Sequence, residues 1–178
     1  MDNFDHCFSI VLGAEGGFTA NPADPGNWTG GRVGQGTCKG TKFGISAAAY
    51  PTLDIASLTP AEAKALYRAN YWDKLVGDRL PPVLALIVFD AAVNNGRYRA
   101  AVWLQQAAGV TTDGVIGPMT LNAIRDIAAQ PNGRAALCSG FLAQRLMFMV
   151  ALPTWSVFGS GWDRRLFRLP YESLRLGT

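Results

Sequence analysis

Glu15 ends an apolar helical stripe and is followed at once by two glycines, in the run Ala14-Glu15-Gly16-Gly17-Phe18. Phe4, Phe8, Val11 and Glu15 fall at i, i+4, i+7 and i+11, on one face of a helix. That face is expected to be buried. Burial disfavours the charged carboxylate and raises its pKa, which is what a proton donor working near neutral pH requires. Gly16 and Gly17 are expected to stop the helix and leave the carboxyl at the lip of a cleft. Asp24 lies nine positions on, in the turn-rich run Asn21-Pro22-Ala23-Asp24-Pro25-Gly26-Asn27, and Thr29 lies five further. An acid at a helix end, a second carboxylate in the next loop and a nearby hydroxyl are the parts of an inverting glycosidase. There one carboxyl protonates the leaving oxygen while the other activates water on the opposite face of the sugar. As bare residues the same pair also reads as a solvated glutamate and an ordinary turn aspartate. Spacing sets no distance between the two carboxyls, so the stereochemical outcome stays open.

Glu15-Gly16-Gly17-Phe18, Asp24-Pro25-Gly26, Thr41-Lys42-Phe43-Gly44-Ile45-Ser46 and Tyr71-Trp72 together resemble glycoside hydrolase family 108. That family consists of lysozyme-like N-acetylmuramidases, many of them phage endolysins. The second half, with Asp90-Ala91-Ala92-Val93-Asn94-Asn95-Gly96 and Asp113-Gly114-Val115-Ile116-Gly117-Pro118-Met119-Thr120, is similar to the peptidoglycan-binding module that follows it. The resemblance implies that Glu15 is the catalytic acid and that Asp24 takes the place of the second acidic residue. It leaves two threonines open. Thr41 stands just before the aromatic-Gly-Ile segment, as in the family, whereas Thr29 keeps the lysozyme-like distance because residues 30–40 form a longer loop. Five glycines among the 11 residues of that loop suit a mobile flap over a sugar groove and suit a solvated insertion equally well.

Polysaccharide grooves set flat rings against sugar faces and amides against hydroxyls. On that chemistry Trp28, Tyr71, Trp72, Asn94 and Asn95 are the substrate-binding candidates, and core packing is the expected role of Trp103, Trp155 and Trp162. Asp90, among apolar neighbours, is expected to hydrogen-bond either a helix end or the groove.

Composition agrees with a compact enzyme: 178 residues, 49% of them apolar, with a formal charge of +3. The charge is uneven. Residues 134–178 hold six arginines (134, 145, 164, 165, 168 and 175) against two acids, a net of +4, and the rest of the chain is −1. That basic end is a candidate contact for an anionic bacterial envelope surface. No zinc-finger, RNP or helix-turn-helix pattern points to nucleic acid. The single histidine, His6, has no companions at metal-ligand spacing, so no metal or cofactor is expected. Three scattered cysteines, Cys7, Cys38 and Cys138, do not form a disulfide framework. The first residues lack a basic stretch followed by an apolar run, and no segment has the length of a membrane span. The expectation is a soluble monomer made in a host cytoplasm, reaching periplasm and cell wall by a holin-type release.

The elements that must carry these residues are helical. Apolar spacing and caps predict helices over about residues 2–14, 60–71, 82–95, 98–108, 118–129 and 133–151. Thr59-Pro60-Ala61-Glu62 forms a capping box with proline at the first helical position. Beyond Pro153 only a short helix near residues 162–167 is expected. The fold class is therefore mainly α: a lysozyme-like catalytic lobe, residues 1–92, packed on a helical peptidoglycan-binding segment, residues 93–178. Three functions fit this reading. The first is a muramidase hydrolysing the β-1,4 bond between N-acetylmuramic acid and N-acetylglucosamine, hence bacteriolytic. The second is a lytic transglycosylase cutting the same bond with the sugar's own hydroxyl. The third is a wall-binding or secretion-assisting protein with vestigial catalytic residues.

Overall fold

Apolar residues at helical spacing bury Phe4, Cys7 and Val11 on one side of α1 (Asn3–Leu12) in the computed structural model, which describes residues 2–13 and 17–174, with side chains through residue 172. The helix stops earlier than its stripe suggests. Gly13, at φ 60, takes the left-handed conformation that ends a helix, so α1 stops there, and Gly16 lies outside the described residues. The described chain is mainly α, with seven α-helices and one two-stranded hairpin. It divides into two compact units, Phe8–Arg68 and Met1–Cys7 with Ala69–Thr178.

In the unit Phe8–Arg68, β1 (Thr41–Lys42) pairs antiparallel with β2 (Ile45–Ser46), in the register Thr41 to Ser46 and Lys42 to Ile45. Phe43 at φ 51 and Gly44 at φ 72 make the two-residue turn with both positions left-handed, which matches the twist of a tight hairpin. Gly44 is required twice over, because a Cβ there would stand 2.6 Å from the Tyr67 hydroxyl oxygen. That hydroxyl donates to the Phe43 carbonyl at 3.1 Å and so ties the turn to the end of α2 (Pro60–Tyr67). Helix α2 starts in the expected capping box. The Thr59 N–H donates to Glu62 Oε2 at 2.8 Å, and the Glu62 N–H donates to Thr59 Oγ1 at 3.3 Å. Ile45, Ala47, Ile55, Leu58 and Ala63 fill the small core beneath. The Lys39 and Lys42 ammoniums, donating to the Pro51 and Ala56 carbonyls at 2.8 Å each, hold the loop that crosses it.

The other unit is built on α3 (Pro82–Asn95). Every residue from Leu84 to Ala92 is buried, so this helix is apolar all round and packs against neighbours on all sides. Pro82 opens it, and Gly96 at φ 92 closes it. Helices α4 (Arg97–Ala107), α6 (Gly133–Val150) and α7 (Trp155–Leu174) lie against α3, with α5 (Pro118–Ala128) against α6. Helix α7 corrects the expectation of one short helix near residues 162–167. Gly159, Gly161 and Pro170 disguise it in sequence, but burial of Leu166 and Leu169 and an ion pair from Arg165 hold it in place. Gly159 lies against Trp155, where a Cβ would come within 2.9 Å of the ring.

Among the described residues no helix is long and apolar enough to cross a membrane.

Candidate functional site

Asp24 sits at the cap of a short 3-10 turn, Pro25–Asn27, where the Gly26 N–H donates to its Oδ1 at 2.8 Å. The aspartate is exposed, and its Oδ2 has no hydrogen-bond partner among the described residues. Its turn is held from beneath by Asn27, a residue the motif reading passed over and the one fully buried polar side chain of this unit among the described residues. Asn27 Nδ2 donates to the Asn21 carbonyl at 3.0 Å, and Asn27 Oδ1 accepts from the Thr41 hydroxyl at 2.7 Å. The Asn27 carbonyl accepts from the N–H groups of both Lys39 and Gly40, at 2.9 and 3.1 Å. Gly26 contributes its carbonyl to Ala48 N–H at 3.0 Å. The turn that carries Asp24 is thus joined to Thr41 through one buried carboxamide. Thr41 is joined further to Thr19 by a pair of backbone hydrogen bonds at 2.8 and 2.9 Å.

The two candidate threonines differ in what their hydroxyls are doing. Thr41 spends its one proton on Asn27, so only its lone pairs remain. Thr29 accepts the Thr37 N–H at 2.9 Å and keeps its own proton to give. The loop over residues 30–40 is a hydrogen-bonded excursion. Its stem carries Thr29 N–H to the Thr37 carbonyl at 3.0 Å and Gly30 N–H to the Gln35 carbonyl at 3.1 Å, with a bridge between Trp28 and Cys38. Glycines 31, 34, 36 and 40 at positive φ let it fold back on itself. Trp28 is half-buried, and its indole N–H donates to the Pro22 carbonyl at 2.8 Å, which fixes the ring beside the Asp24 turn. Glu15 lies outside the described residues.

The remaining candidates belong to the other unit. Trp72 is not a groove residue: it is fully buried, with ring centroids 5.4 Å from Phe4 and 5.6 Å from Phe89, and its indole N–H donates to Asp78 Oδ1 at 2.9 Å. Large aromatic area at the middle of a small core wins over display to solvent. Tyr71, next to it on the π-helical turn Arg68–Trp72, is half-buried. The Asn94 amide donates to the Asp90 carbonyl at 2.7 Å, and Asn95 Oδ1 accepts from Arg145 Nε at 2.9 Å. Trp103 packs as expected on Phe141 and Phe148, at 6.1 and 5.4 Å.

Two of the C-terminal arginines offered as an envelope contact are structural instead. Asp90, fully buried on α3, accepts from Arg145 Nη1 at 2.7 Å on one oxygen and from Arg165 Nε at 2.7 Å on the other. Burial pulls the Arg145 pKa down, and the charge and hydrogen bond of Asp90 push it up. A carboxylate lost in an apolar helix needs such partners, and here they come from α6 and α7. Arg168 pairs with Glu172 at 3.2 Å, and Arg175 lies outside the described residues. Among the described residues no group of three or more His, Cys, Asp or Glu side chains gathers to hold a metal.

Residues 8–96 match the family described as Glycosyl hydrolase 108, and residues 99–167 match a Predicted Peptidoglycan domain. The chain is also similar to the solved structure of Brucella abortus SagA, with 33% identity and a TM-score of 0.76 over 97% of this chain and 94% of that one. It matches no curated protein sequence.

Proposed function

This chain belongs to the glycosyl hydrolase 108 family and, with a peptidoglycan domain behind the hydrolase domain, is a peptidoglycan hydrolase; we propose that its reaction is that of an N-acetylmuramidase. The bond cut is the β-1,4 link between N-acetylmuramic acid and N-acetylglucosamine. Glu15 gives a proton to the leaving oxygen, and Asp24 orients or activates the attacking water. The observation that carries this reading is the Asp24 turn. One carboxylate oxygen is locked by the Gly26 N–H, the other faces solvent, and the turn itself is anchored on buried Asn27. A carboxylate held in this way suits a water-directing role, since its position is set before substrate arrives. Of the threonines, Thr29 retains a proton to donate to water or sugar, and Thr41 serves to hold Asn27. Trp28 offers a ring beside the turn, and Tyr71 is a second, half-buried ring. Catalysis is assigned to residues 1–92 and wall binding to residues 93–178, a division close to the junction of the two family matches.

The test is mass spectrometry of borohydride-reduced products from purified peptidoglycan, digested by wild type, Glu15→Gln and Asp24→Asn. Reducible N-acetylmuramic acid ends that vanish with Glu15→Gln and fall with Asp24→Asn are expected. Anhydro ends mean transglycosylation, and uncut glycan from wild type means a binding protein.

A further inference from the structure

A cleft of about 760 Å³ opens at the start of α4, lined by residues from both the hydrolase match and the peptidoglycan-domain match, within the range of about 300–1,000 Å³ usual for ligand pockets. Three cations line it, Lys74, Arg97 and Arg99, and no acidic side chain does among the described residues. Neither Lys74 nor Arg97 makes an ion pair with a described residue. Arg99 is already oriented: its guanidinium lies 4.7 Å from the centre of the Phe148 ring and donates to the Asn95 carbonyl at 3.1 Å. The first turn of α4 carries Arg97 and Arg99, no acid, and no side-chain cap on Gly96. Cations at this end of a helix oppose its dipole, a broken local rule of the kind expected at functional or strained sites.

The far wall is rigid. Buried Gln105 takes the Gly114 N–H on its oxygen at 2.8 Å and gives its amide to Asp113 Oδ1 at 2.6 Å and to the Val115 carbonyl at 3.0 Å. Asp113 Oδ1 also accepts from the Val115 N–H at 2.8 Å, so this neighbouring acid is committed to the wall itself. Gly114, at φ 78, passes beneath the Tyr98 ring, leaving that ring 66% exposed at the cleft. Leu75, Ala101 and Ile116 complete an apolar floor.

We propose that this cleft binds the peptide stem of peptidoglycan through its carboxylates, an inference that rests on peptidoglycan being the substrate. The glycan strand is neutral once the lactyl carboxyl of N-acetylmuramic acid is joined to peptide. The fixed negative charges of the polymer therefore sit on the stem, beside small methyl side chains that suit the apolar floor. Two guanidiniums and an ammonium around that floor match carboxylates spaced along a short peptide.

The experiment titrates the free stem tetrapeptide into the full-length protein by calorimetry at low salt. Saturable binding is expected, weakened at least tenfold in Lys74→Ala/Arg97→Ala, whose two replaced side chains are exposed, and weakened by salt. The same peptide with amidated carboxylates, tested on the unmutated cleft, is expected to bind at least tenfold more weakly, a measurement independent of how the variant folds. Undetectable stem binding, equal binding by the amidated peptide, or preference for a polyglycerol phosphate overturns the proposal. Failure of the hydrolase reading is separate. Wild type that binds stem but leaves glycan uncut sinks only the reaction, and wild type that makes reducible ends but ignores stem sinks only the cleft.

Discussion

Replacing Asn27 by alanine removes the buried support of the Asp24 turn. Two side-chain hydrogen bonds are lost, to the Thr41 hydroxyl at 2.7 Å and to the Asn21 carbonyl at 3.0 Å. Each is worth about 1 kcal/mol net, and a buried partner left unsatisfied adds about 1–3 kcal/mol. Asn21 is exposed and recovers a bond from water, whereas Thr41 is half-buried and recovers one less readily. The expected destabilisation is about 2–4 kcal/mol, read from urea unfolding. Thr41→Val alone removes one of the two bonds, so the double variant is expected to fall short of additivity by about 1 kcal/mol. Glycan cleavage by Asn27→Ala is expected to drop further than the folded fraction does, because the turn that positions Asp24 loses its anchor. A loss below about 0.5 kcal/mol with full additivity refutes the assignment of Asn27 as the anchor.

Asp90→Ala removes the carboxylate that neutralises the buried Arg145 guanidinium and is expected to cost about 3–5 kcal/mol, a fall of roughly 10 °C in thermal melting; an unchanged Tm refutes the buried cluster. Burial pushes the Cys7 and Cys138 thiols up to about 12 and about 11, so native protein treated with a thiol reagent at mild alkaline pH is expected to label at Cys38 alone, with a second adduct counting against it. Asp113 is held below the usual carboxylate range by the Gln105 amide and the Val115 N–H, Asp54 by Ser57, and Glu62 by Thr59. Their folded pKa values lie below the unfolded ones, so their stabilisation is complete above about pH 4–5 and is lost as pH falls through the lowered values; a Tm that rises on acidification across that window contradicts this.

Local chemistry made most helices legible. The Thr59 to Glu62 capping box, Pro82 and Pro118 at first turns and Gly96 at an end all act within a few residues; α3 through α6 begin and end close to where such signals stand, and α2 begins at its box but gives way to the π-helical turn at Arg68. The stop of α1 at Gly13 and the extent of α7 were less legible. A glycine's sign of φ is a conformational choice that neighbours do not announce, and α7 is held by Leu166, Leu169 and Arg165 against distant partners despite its poor formers.

By itself the sequence determined the mainly α class, the acidic loop carrying Asp24, and the family, because capping, periodicity and short motifs are properties of contiguous residues. Only the tertiary structure decided that Asn27 anchors that loop to Thr41, that Trp72 is core, and that Arg145 and Arg165 neutralise Asp90 across 55 and 75 residues. Those pairings depend on burial, which turns an ordinary amide, indole or guanidinium into an obligatory partner, and burial exists only once distant segments have met.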